Sequence, residues 1–436
     1  MQTALQSPFK DSSEGREADA ILRSCVHCGF CLAACPTYRL LGDELDSPRG
    51  RIYLIKQLLE GQAVGAPTQL HLDRCLTCRA CETACPSGVR YGRLLDIGRG
   101  LVEQRVPRGA DQRLERWLLR RLVAEPRRFG LAVALGRALA PLLPRRLTAR
   151  LPLRQAAPPW PKPQAAGRRM LALAGCAQSV ATPATNAAAA RVLARFGIEL
   201  IEAPAAGCCG ALDYHLGAHD AGLARARRNI DAWWPYLQQG AETIVMTASG
   251  CGAMVREYGL LLAQDPAYAD KAERVAGATR DLGEVLLAED RSPFAGIGAG
   301  RRIAFHAPCT LTHWQKASAA VETVLREADF ELTPVVDSHL CCGSAGSYSI
   351  LQPELAQRLR DDKLTALTAG EPEVIVTANI GCQLHLQRVS EVPVRHWIEL
   401  LEASSSSRRR DQKSRGDCRK PGRRDGNPVT HGSARR

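Results

Sequence analysis

The chain has 436 residues, 45% of them hydrophobic and only 5% aromatic, which is enough for two or three domains with mostly aliphatic cores. Its net charge of +13 is concentrated in two segments. Residues 99–154 carry 14 arginines against 4 acidic residues, and residues 403–436 carry 11 basic against 3 acidic residues. No stretch approaches the roughly 18 consecutive apolar residues that cross a bilayer, which excludes a membrane-spanning protein.

Seventeen cysteines are the most unusual feature of the composition, and the N-terminus bears on their chemistry. Residues 1–20 are polar and lack the apolar core of a secretory signal. We therefore expect a cytoplasmic protein, in which grouped cysteines bind metal rather than form disulfides.

Residues 1–98 contain two copies of one cysteine motif. CVHCGFCLAACP occupies residues 25–36, and CLTCRACETACP occupies residues 75–86. Both follow the C-x2-C-x2-C-x3-C-P pattern of bacterial ferredoxins that carry two clusters. Zinc is the main alternative, but zinc sites favour two C-x2-C pairs over two four-cysteine motifs that end in proline. The segment is predicted to be a ferredoxin-type domain with two [4Fe–4S] clusters.

In such tandem motifs the fourth cysteine ligates the cluster of the other motif. We therefore assign one cluster to Cys25, Cys28, Cys31 and Cys85, and the second cluster to Cys75, Cys78, Cys81 and Cys35. The 39 residues between Cys35 and Cys75 exceed the short gap of small ferredoxins. The apolar spacing of Leu54, Leu58 and Leu59 predicts that helices carry the two motifs.

Residues 99–166 follow, an Arg-rich and Leu-rich stretch with helical periodicity that ends in the proline-rich APPWPKPQ. We predict a basic helical connector and linker. Its helices suit either peripheral contact with an anionic membrane surface or packing on the cysteine-rich domains. At the other end of the chain, residues 403–436 lack apolar periodicity and are predicted to be a disordered basic tail, in which Cys418 is incidental.

Residues 167–402 alternate β-branched runs with Ala-rich helical stretches and contain an internal duplication. The first repeat, 167–290, carries Cys176, Cys208, Cys209 and Cys251, and the second repeat, 291–402, carries Cys309, Cys341, Cys342 and Cys382. Matched cysteines are 133, 133 and 131 residues apart. The predicted fold is therefore α+β and multidomain, a helical two-cluster ferredoxin domain followed by a duplicated α/β cysteine-rich (CCG) domain.

Three interpretations of the CCG cysteines remain open. They hold a further iron–sulfur cluster, form a thiol/disulfide redox pair, or pack as small apolar residues. The repeats resemble the cysteine-rich domain of heterodisulfide reductase subunits and related oxidoreductases, a resemblance that implies a terminal C-x2-C pair. Here each repeat ends with a single cysteine, which leaves these eight cysteines as weaker metal-ligand candidates. The nearby histidines are candidates for outer-sphere donors, proton carriers or quinone-site residues, or are ordinary buried histidines: His306, His313, His339 and His385.

Three C-terminal stretches carry a more specific resemblance: DSHLCCGSAGSYSILQPEL at 337–355, TANIGCQLHL at 377–386 and VPVRHWIELL at 392–401. Together with the tandem ferredoxin motifs and the CCG repeat, they resemble the glycolate oxidase iron–sulfur subunit family over residues 15–402. The resemblance implies an electron-transfer subunit of a glycolate oxidase (glycolate dehydrogenase). Glycolate would be oxidised to glyoxylate on a separate FAD-containing subunit, beside a second flavoprotein-like subunit, and electrons would continue to a quinone acceptor.

Other assignments share parts of this pattern. The equivalent subunit of a lactate or glycerol-3-phosphate dehydrogenase, or a heterodisulfide-reductase-like protein, would contain both kinds of module. The Gly-rich AGIGAG at 295–300 is an incomplete dinucleotide-binding motif that we interpret as a loop between the repeats, so no flavin is expected on this chain. The basic tail alone would support only non-specific nucleic-acid binding, so no specific nucleic-acid partner is expected.

Overall fold

A computed structural model describes residues 1–142, 144, 151–152, 155–156, 158–162 and 167–402. The predictions for the tail at 403–436 and for part of the linker before 167 lie outside these residues. The N-terminal unit is helical. Its helices are Ser13–Ser24, Phe30–Ala33, Pro36–Leu41, Pro48–Leu59, Ala66–Asp73, Ala80–Thr83 and Tyr91–Arg105, with 3-10 turns at Phe9–Asp11 and Glu44–Asp46.

The helix Pro48–Leu59 is the central element of this unit. Ser47 caps its N-terminus by accepting a hydrogen bond from the Gly50 N–H, and a proline occupies its first position, where no intrahelical N–H is needed. Its apolar side chains at Ile55, Leu58 and Leu59 are fully buried in a core shared with Ser13–Ser24 and Tyr91–Arg105. The helix predicted from the apolar spacing between the two cysteine motifs is thus confirmed, and it packs against both motifs.

Each CCG repeat contains a four-stranded parallel sheet with the same strand order. In the first repeat the order is β2-β1-β3-β4, with β1 Arg168–Ala172, β2 Ile198–Glu202, β3 Ile244–Met246 and β4 Thr279–Asp281. In the second repeat it is β6-β5-β7-β8, with β5 Arg302–His306, β6 Glu331–Leu332, β7 Val374–Thr377 and β8 Val394–His396. The predicted duplication and the predicted α+β class are both confirmed.

Helices cover both sheets. Those of the first repeat are Gln178–Ala181, Ala184–Ala194, Ala211–His215, His219–Gln238, Ser249–Arg256, Tyr258–Leu261, Ala269–Ala278 and Leu282–Leu287. Those of the second repeat are a π-helix at Thr310–Gln315 and the α-helices Ser318–Glu327, Tyr348–Leu351, Pro353–Thr368, Ile380–Gln387 and Trp397–Glu402. One apolar core contains residues of both repeats, so the two copies pack as a single body.

The connector contributes two helices, Ala110–Leu122 and Pro126–Ala138, and a 3-10 turn at Ala140–Leu142. The preceding helix, Tyr91–Arg105, runs without a break across residue 98, where the sequence suggested the end of the first domain. Residues 295–300 form turns between the repeats, as expected of a loop. None of the helices in the described ranges is long and apolar enough to cross a membrane.

Candidate functional site

The two ferredoxin-type loops have the same backbone conformation. Each places left-handed residues on either side of its second cysteine, at His27 and Gly29 in the first loop and at Thr77 and Arg79 in the second. For residues other than glycine this conformation costs about 1 kcal/mol or more, so the surrounding structure must enforce it. The turn directs backbone N–H groups toward the thiols, and the Thr77 N–H lies 3.4 Å from Sγ of Cys75.

The loops enclose two cavities, and each is lined by cysteines from both motifs. The first cavity is lined by Cys25, Cys28, Cys31 and Cys85, and the second by Cys35, Cys75 and Cys78, while Cys81 borders both. The fourth cysteine of each motif has therefore crossed to the cavity of the other motif. Seven of the eight cysteines line only the cavity of the set that the sequence suggested, Cys81 borders both, and their ligation of iron remains our proposal.

Hydrogen-bond donors surround the sulfurs of the second cavity. Nη1 of Arg51 lies 4.0 Å from Sγ of Cys35, and the hydroxyl of Tyr91 donates to Sγ of Cys75 at 3.6 Å. The hydroxyl of Thr37 also lies 3.3 Å from Sγ of Cys35, but it donates its proton to the Asp46 carbonyl at 2.8 Å. Donors in this arrangement stabilise negative charge on sulfur and raise the reduction potential of a bound cluster.

Arg51 is itself held by a buried ion pair. Its Nη2 lies 3.2 Å from Oδ1 of Asp46. The Asp46 side chain is fully buried; its Oδ2 also lies 2.9 Å from Nη1 of Arg74, and its Oδ1 lies 3.1 Å from Nδ1 of His71. Sequence reasoning missed this group. The sequence did contain a signal for it. Arg51 precedes Ile52 and lies on the face of helix Pro48–Leu59 that the apolar spacing predicts to be buried.

The thiols fit an iron–sulfur cluster on chemical grounds. Burial raises the pKa of Cys78 and Cys81 well above the usual range, and burial raises the pKa of Cys31 to about 11. Such thiols become thiolates at neutral pH only when a cation compensates their charge. Both cavities therefore contain the donor set of a [4Fe–4S] cluster, four cysteine sulfurs each when Cys81 is counted with the second cavity.

The two cavities differ in their access to solvent. Cys28 is exposed, and its neighbours Val26 and Phe30 are 68% and 67% exposed, so the first cavity opens to the surface through an apolar rim. Cys75 and Cys78 in the second cavity are buried.

The second repeat covers the second cavity. Cys78 and Leu76 belong to one apolar cluster with Cys341 and Tyr348 of the second repeat, against which Cys309 also packs. The Trp314 ring N–H donates to the Thr77 carbonyl at 3.2 Å, and the Arg79 guanidinium lies 3.4 Å above the Trp314 ring.

The CCG cysteines form a chain of four neighbouring thiols in each repeat. In the first, Cys208 contacts Cys176 and Cys209, and Cys209 contacts Cys251. In the second, Sγ of Cys309 lies 3.9 Å from Sγ of Cys341, and contacts continue to Cys342 and then to Cys382. Both repeats reproduce the arrangement, so it is a feature of the duplicated fold.

The glycine of each CCG motif permits this arrangement. Gly210 and Gly343 have φ of +91° and +82°, and a Cβ at these positions would lie 2.6 Å from the Gly222 oxygen of helix His219–Gln238 and 2.5 Å from the Ala356 oxygen of helix Pro353–Thr368. Both positions therefore combine a left-handed backbone with a close approach of another helix, which a residue with a Cβ would not allow.

The candidate histidines have different surroundings. Nδ1 of His313 lies 2.9 Å from the Thr83 hydroxyl, and its Nε2 lies 3.0 Å from the His339 carbonyl, so His313 joins the ferredoxin unit to the second repeat. His385 contacts the Ala356 carbonyl through Nε2 at 3.1 Å. His306 is buried next to the thiols of Cys342 and Cys382.

Comparison with protein-family models matches residues 21–89 to a 4Fe-4S dicluster domain and residues 170–256 and 303–387 to the cysteine-rich CCG domain. These matches support iron–sulfur clusters as the cofactors and place the duplicated domain where the two sheets lie.

Curated relatives match nearly the whole chain. The glycolate oxidase iron-sulfur subunit of Escherichia coli is 57% identical over 403 residues, covering 92% of this chain and 98% of the relative. The probable glycolate oxidase iron-sulfur subunit of Bacillus subtilis is 30% identical over 88% of this chain and 91% of its own length. Lactate utilization protein A of Bacillus licheniformis is 25% identical over 50% of this chain.

Proposed function

The chain belongs to the glycolate oxidase iron–sulfur subunit family, and from this we propose that it transfers single electrons from a flavoprotein subunit that oxidises glycolate to glyoxylate toward a quinone. The observation that carries the proposal is the arrangement of its two thiol-lined cavities. They share the border residue Cys81, one opens to the surface, and the other is covered by the second CCG repeat.

The cofactor chemistry requires a partner. A [4Fe–4S] cluster exchanges one electron at a time, whereas oxidation of a 2-hydroxy acid releases two, so a flavin on another subunit must divide the pair. The proposal assigns glycolate oxidation to that FAD-containing subunit, with the second flavoprotein-like subunit alongside it. The role of this chain is to hold the clusters, exclude water from the second one and set their potentials.

The surface around the first cavity suits an electron entry site. Val26 and Phe30 project from the loop that carries Cys28, and exposed apolar side chains of this kind favour contact with another protein. We assign this rim to the flavoprotein contact. The second cavity adjoins the first at Cys81 and packs against Cys341 of the second repeat, so electrons that enter at the rim would pass next to the second cluster.

The connector suits the quinone side of the proposal. Helix Ala110–Leu122 exposes Leu114, Trp117, Leu118 and Leu122, and the exposed side chains of the next helix include Leu131 and Leu135. Exposed arginines at 113, 121, 127 and 128 accompany them. An apolar surface surrounded by positive charge fits the headgroup region of an anionic membrane, where quinone is available. We propose peripheral membrane contact through these two helices.

The test is reduction of the assembled complex under anaerobic conditions. The chain is co-purified with its flavoprotein partners, and glycolate, L-lactate or glycerol 3-phosphate is added while the EPR signals of reduced clusters are followed. We expect glycolate to reduce both clusters. Replacement of Cys75 by Ser should leave reduction at the first cavity intact and slow quinone reduction by at least about tenfold, because the buried site is interrupted.

Each other result has a defined meaning. Reduction by L-lactate or glycerol 3-phosphate but not by glycolate would contradict the substrate assignment and retain the electron-transfer role. If no substrate reduces the iron of this chain while the flavin is reduced, the electron-transfer role itself is wrong.

A further inference from the structure

The second CCG repeat has a histidine beside its thiols at a position where the first repeat has a leucine. RRMLALAGC at 168–176 aligns with RRIAFHAPC at 301–309, so His306 in the second repeat corresponds to Leu173 in the first. Both residues lie at the carboxyl end of the equivalent central strand, β5 or β1, and both are buried. The duplicated fold thus places an imidazole in one thiol cluster and a leucine side chain in the other.

His306 is unusual because its polar atoms have no partner. The residue is 2% exposed, and neither Nδ1 nor Nε2 has a hydrogen-bond partner among the described residues. A buried polar group left in this way costs about 1–3 kcal/mol. By contrast, buried His396 contacts the Thr247 carbonyl through Nε2 at 2.8 Å and accepts from the Ile398 N–H at 3.3 Å.

The imidazole is directed at thiols. One ring nitrogen of His306 and the sulfurs of Cys342 and Cys382 all lie within 4.8 Å of one another, and all three residues are buried. Tetrahedral coordination with metal–ligand bonds of about 2.0–2.3 Å separates neighbouring ligand atoms by roughly 3.3–3.8 Å. Small side-chain adjustments would bring the three atoms to one ion.

We propose that His306 is a metal ligand, and that its imidazole together with the thiolates of Cys342 and Cys382 binds one thiophilic metal ion in the second repeat. On binding, the two thiols release their protons and the imidazole enters as the neutral base. Cys341 is the adjacent candidate for the fourth position, since its thiol contacts that of Cys342. The first repeat, with Leu173, offers sulfur ligands only.

Other roles for His306 have less support. A proton carrier needs a hydrogen-bonded route, and the residue has no such contact in the described part of the chain. Lys363 is held by other partners, because its ammonium donates to the Asp337 carbonyl at 2.9 Å and to the Ser338 carbonyl at 3.3 Å. The bound ion is either a lone zinc ion or one iron of an iron–sulfur cluster, because both metals accept nitrogen and sulfur ligands.

The experiment compares three variants of the full chain purified without oxygen. His306→Leu introduces the side chain that the first repeat has at this position, and His306→Cys keeps a metal donor. His396→Leu is the matched control, because it also removes a buried imidazole from the second sheet but lies two strands away from His306. Iron, zinc and acid-labile sulfide are counted, and the EPR signals of the N-terminal clusters serve as the check of folding.

We expect His306→Leu to lose at least half of the metal held in the second repeat, while His306→Cys and His396→Leu retain it and the N-terminal signals stay unchanged. Zinc X-ray absorption would show nitrogen at about 2.0 Å if the ion is zinc. If it is iron, pulsed EPR of protein labelled with 15N-histidine would show the nitrogen coupling. Unchanged metal content and unchanged spectra in His306→Leu would overturn the proposal. Neither readout requires the flavoprotein, so this result is independent of the electron donor and substrate proposed above.

Discussion

Nη1 of Arg51 lies 4.0 Å from Sγ of Cys35, which places a buried positive charge directly behind the second thiol-lined cavity. Both side chains are almost completely shielded from water. The same guanidinium contacts the Asp46 carboxylate and the Thr37 hydroxyl, so its position is fixed. A fixed charge beside a cluster ligand acts on the potential of that site.

Replacement of Arg51 should therefore lower the reduction potential of the second cluster. A unit charge at about 5 Å in an effective dielectric of 20 contributes roughly 3 kcal/mol, which corresponds to a shift on the order of 100 mV for Arg51→Met. The variant should also be less stable, by about 3–5 kcal/mol, because Asp46 loses a buried partner. Arg51→Lys should shift the potential less, since it keeps the charge.

EPR-monitored redox titration measures this effect. Arg49→Met is the matched control, because Arg49 borders the first cavity and pairs with Glu44 near the surface. The second cluster should keep its potential in that variant. Equal potentials in the wild type and Arg51→Met would show that the guanidinium does not act on this site.

The crossed grouping of the cysteines makes a separate prediction. Cys85 is the fourth cysteine of the second motif but lines the first cavity, and Cys35 is the fourth cysteine of the first motif but lines the second. Cys85→Ser should change the EPR signal of the cluster assigned to Cys25, Cys28 and Cys31, and Cys35→Ser should change the other. If each variant instead altered the cluster of its own motif, the crossed ligation would be wrong.

The sequence predicted the motif-level features well because they depend on local spacing. The grouping of Cys25 and Cys28 follows from their interval, and the duplication follows from constant offsets between matched cysteines. The buried pair Arg51–Asp46 and the contact of Trp314 with Thr77 did not follow. Contacts of this kind depend on how separate elements pack, and no spacing rule encodes that.

Histidines show the same limit at single residues. His306 and His385 both lie near CCG cysteines in the sequence, but only His306 is grouped with the thiols of Cys342 and Cys382, while Nε2 of His385 contacts a backbone carbonyl. The two histidines have different neighbours because His306 ends strand β5, whereas His385 lies in the helix Ile380–Gln387. The sequence offered one usable signal, the alignment of His306 in the second repeat with Leu173 in the first.

Asp281 should make the stability of the first repeat depend on pH. It caps the helix Leu282–Leu287, and burial raises its pKa to about 7. The unfolded chain loses this proton near pH 3.9, so the folded state holds an extra proton between about pH 4 and 7. The free energy of unfolding should therefore fall as pH rises through this range, by up to about 1.4 kcal/mol per pH unit.

Thermal denaturation of the wild type and Asp281→Asn between pH 4.5 and 8 isolates this contribution. Asparagine keeps the carbonyl oxygen that accepts from the Gly283 N–H but cannot titrate. The difference in Tm between the two proteins should change across the range and level off above pH 7. A constant difference would mean that Asp281 is ionised throughout.

The connector helices should bind anionic vesicles through their apolar side chains. Trp117→Glu or Leu118→Glu should weaken flotation with anionic liposomes at least about tenfold, because burial of one such side chain contributes roughly 1.5–3 kcal/mol. Added salt should weaken it further, since the arginines contribute electrostatically. Leu260→Glu is the control, a similarly exposed leucine in the first repeat. Equal binding of all three variants and the wild type would exclude this surface.

We assign the eight N-terminal cysteines as ligands of two iron–sulfur cubanes, and counts of iron and acid-labile sulfide in the full chain, purified without oxygen, decide this assignment. We expect about eight irons and eight sulfides or more per chain, with EPR signals of reduced [4Fe–4S] clusters after dithionite treatment. If the purified chain holds zinc without iron, or folds with neither, the assignment is wrong.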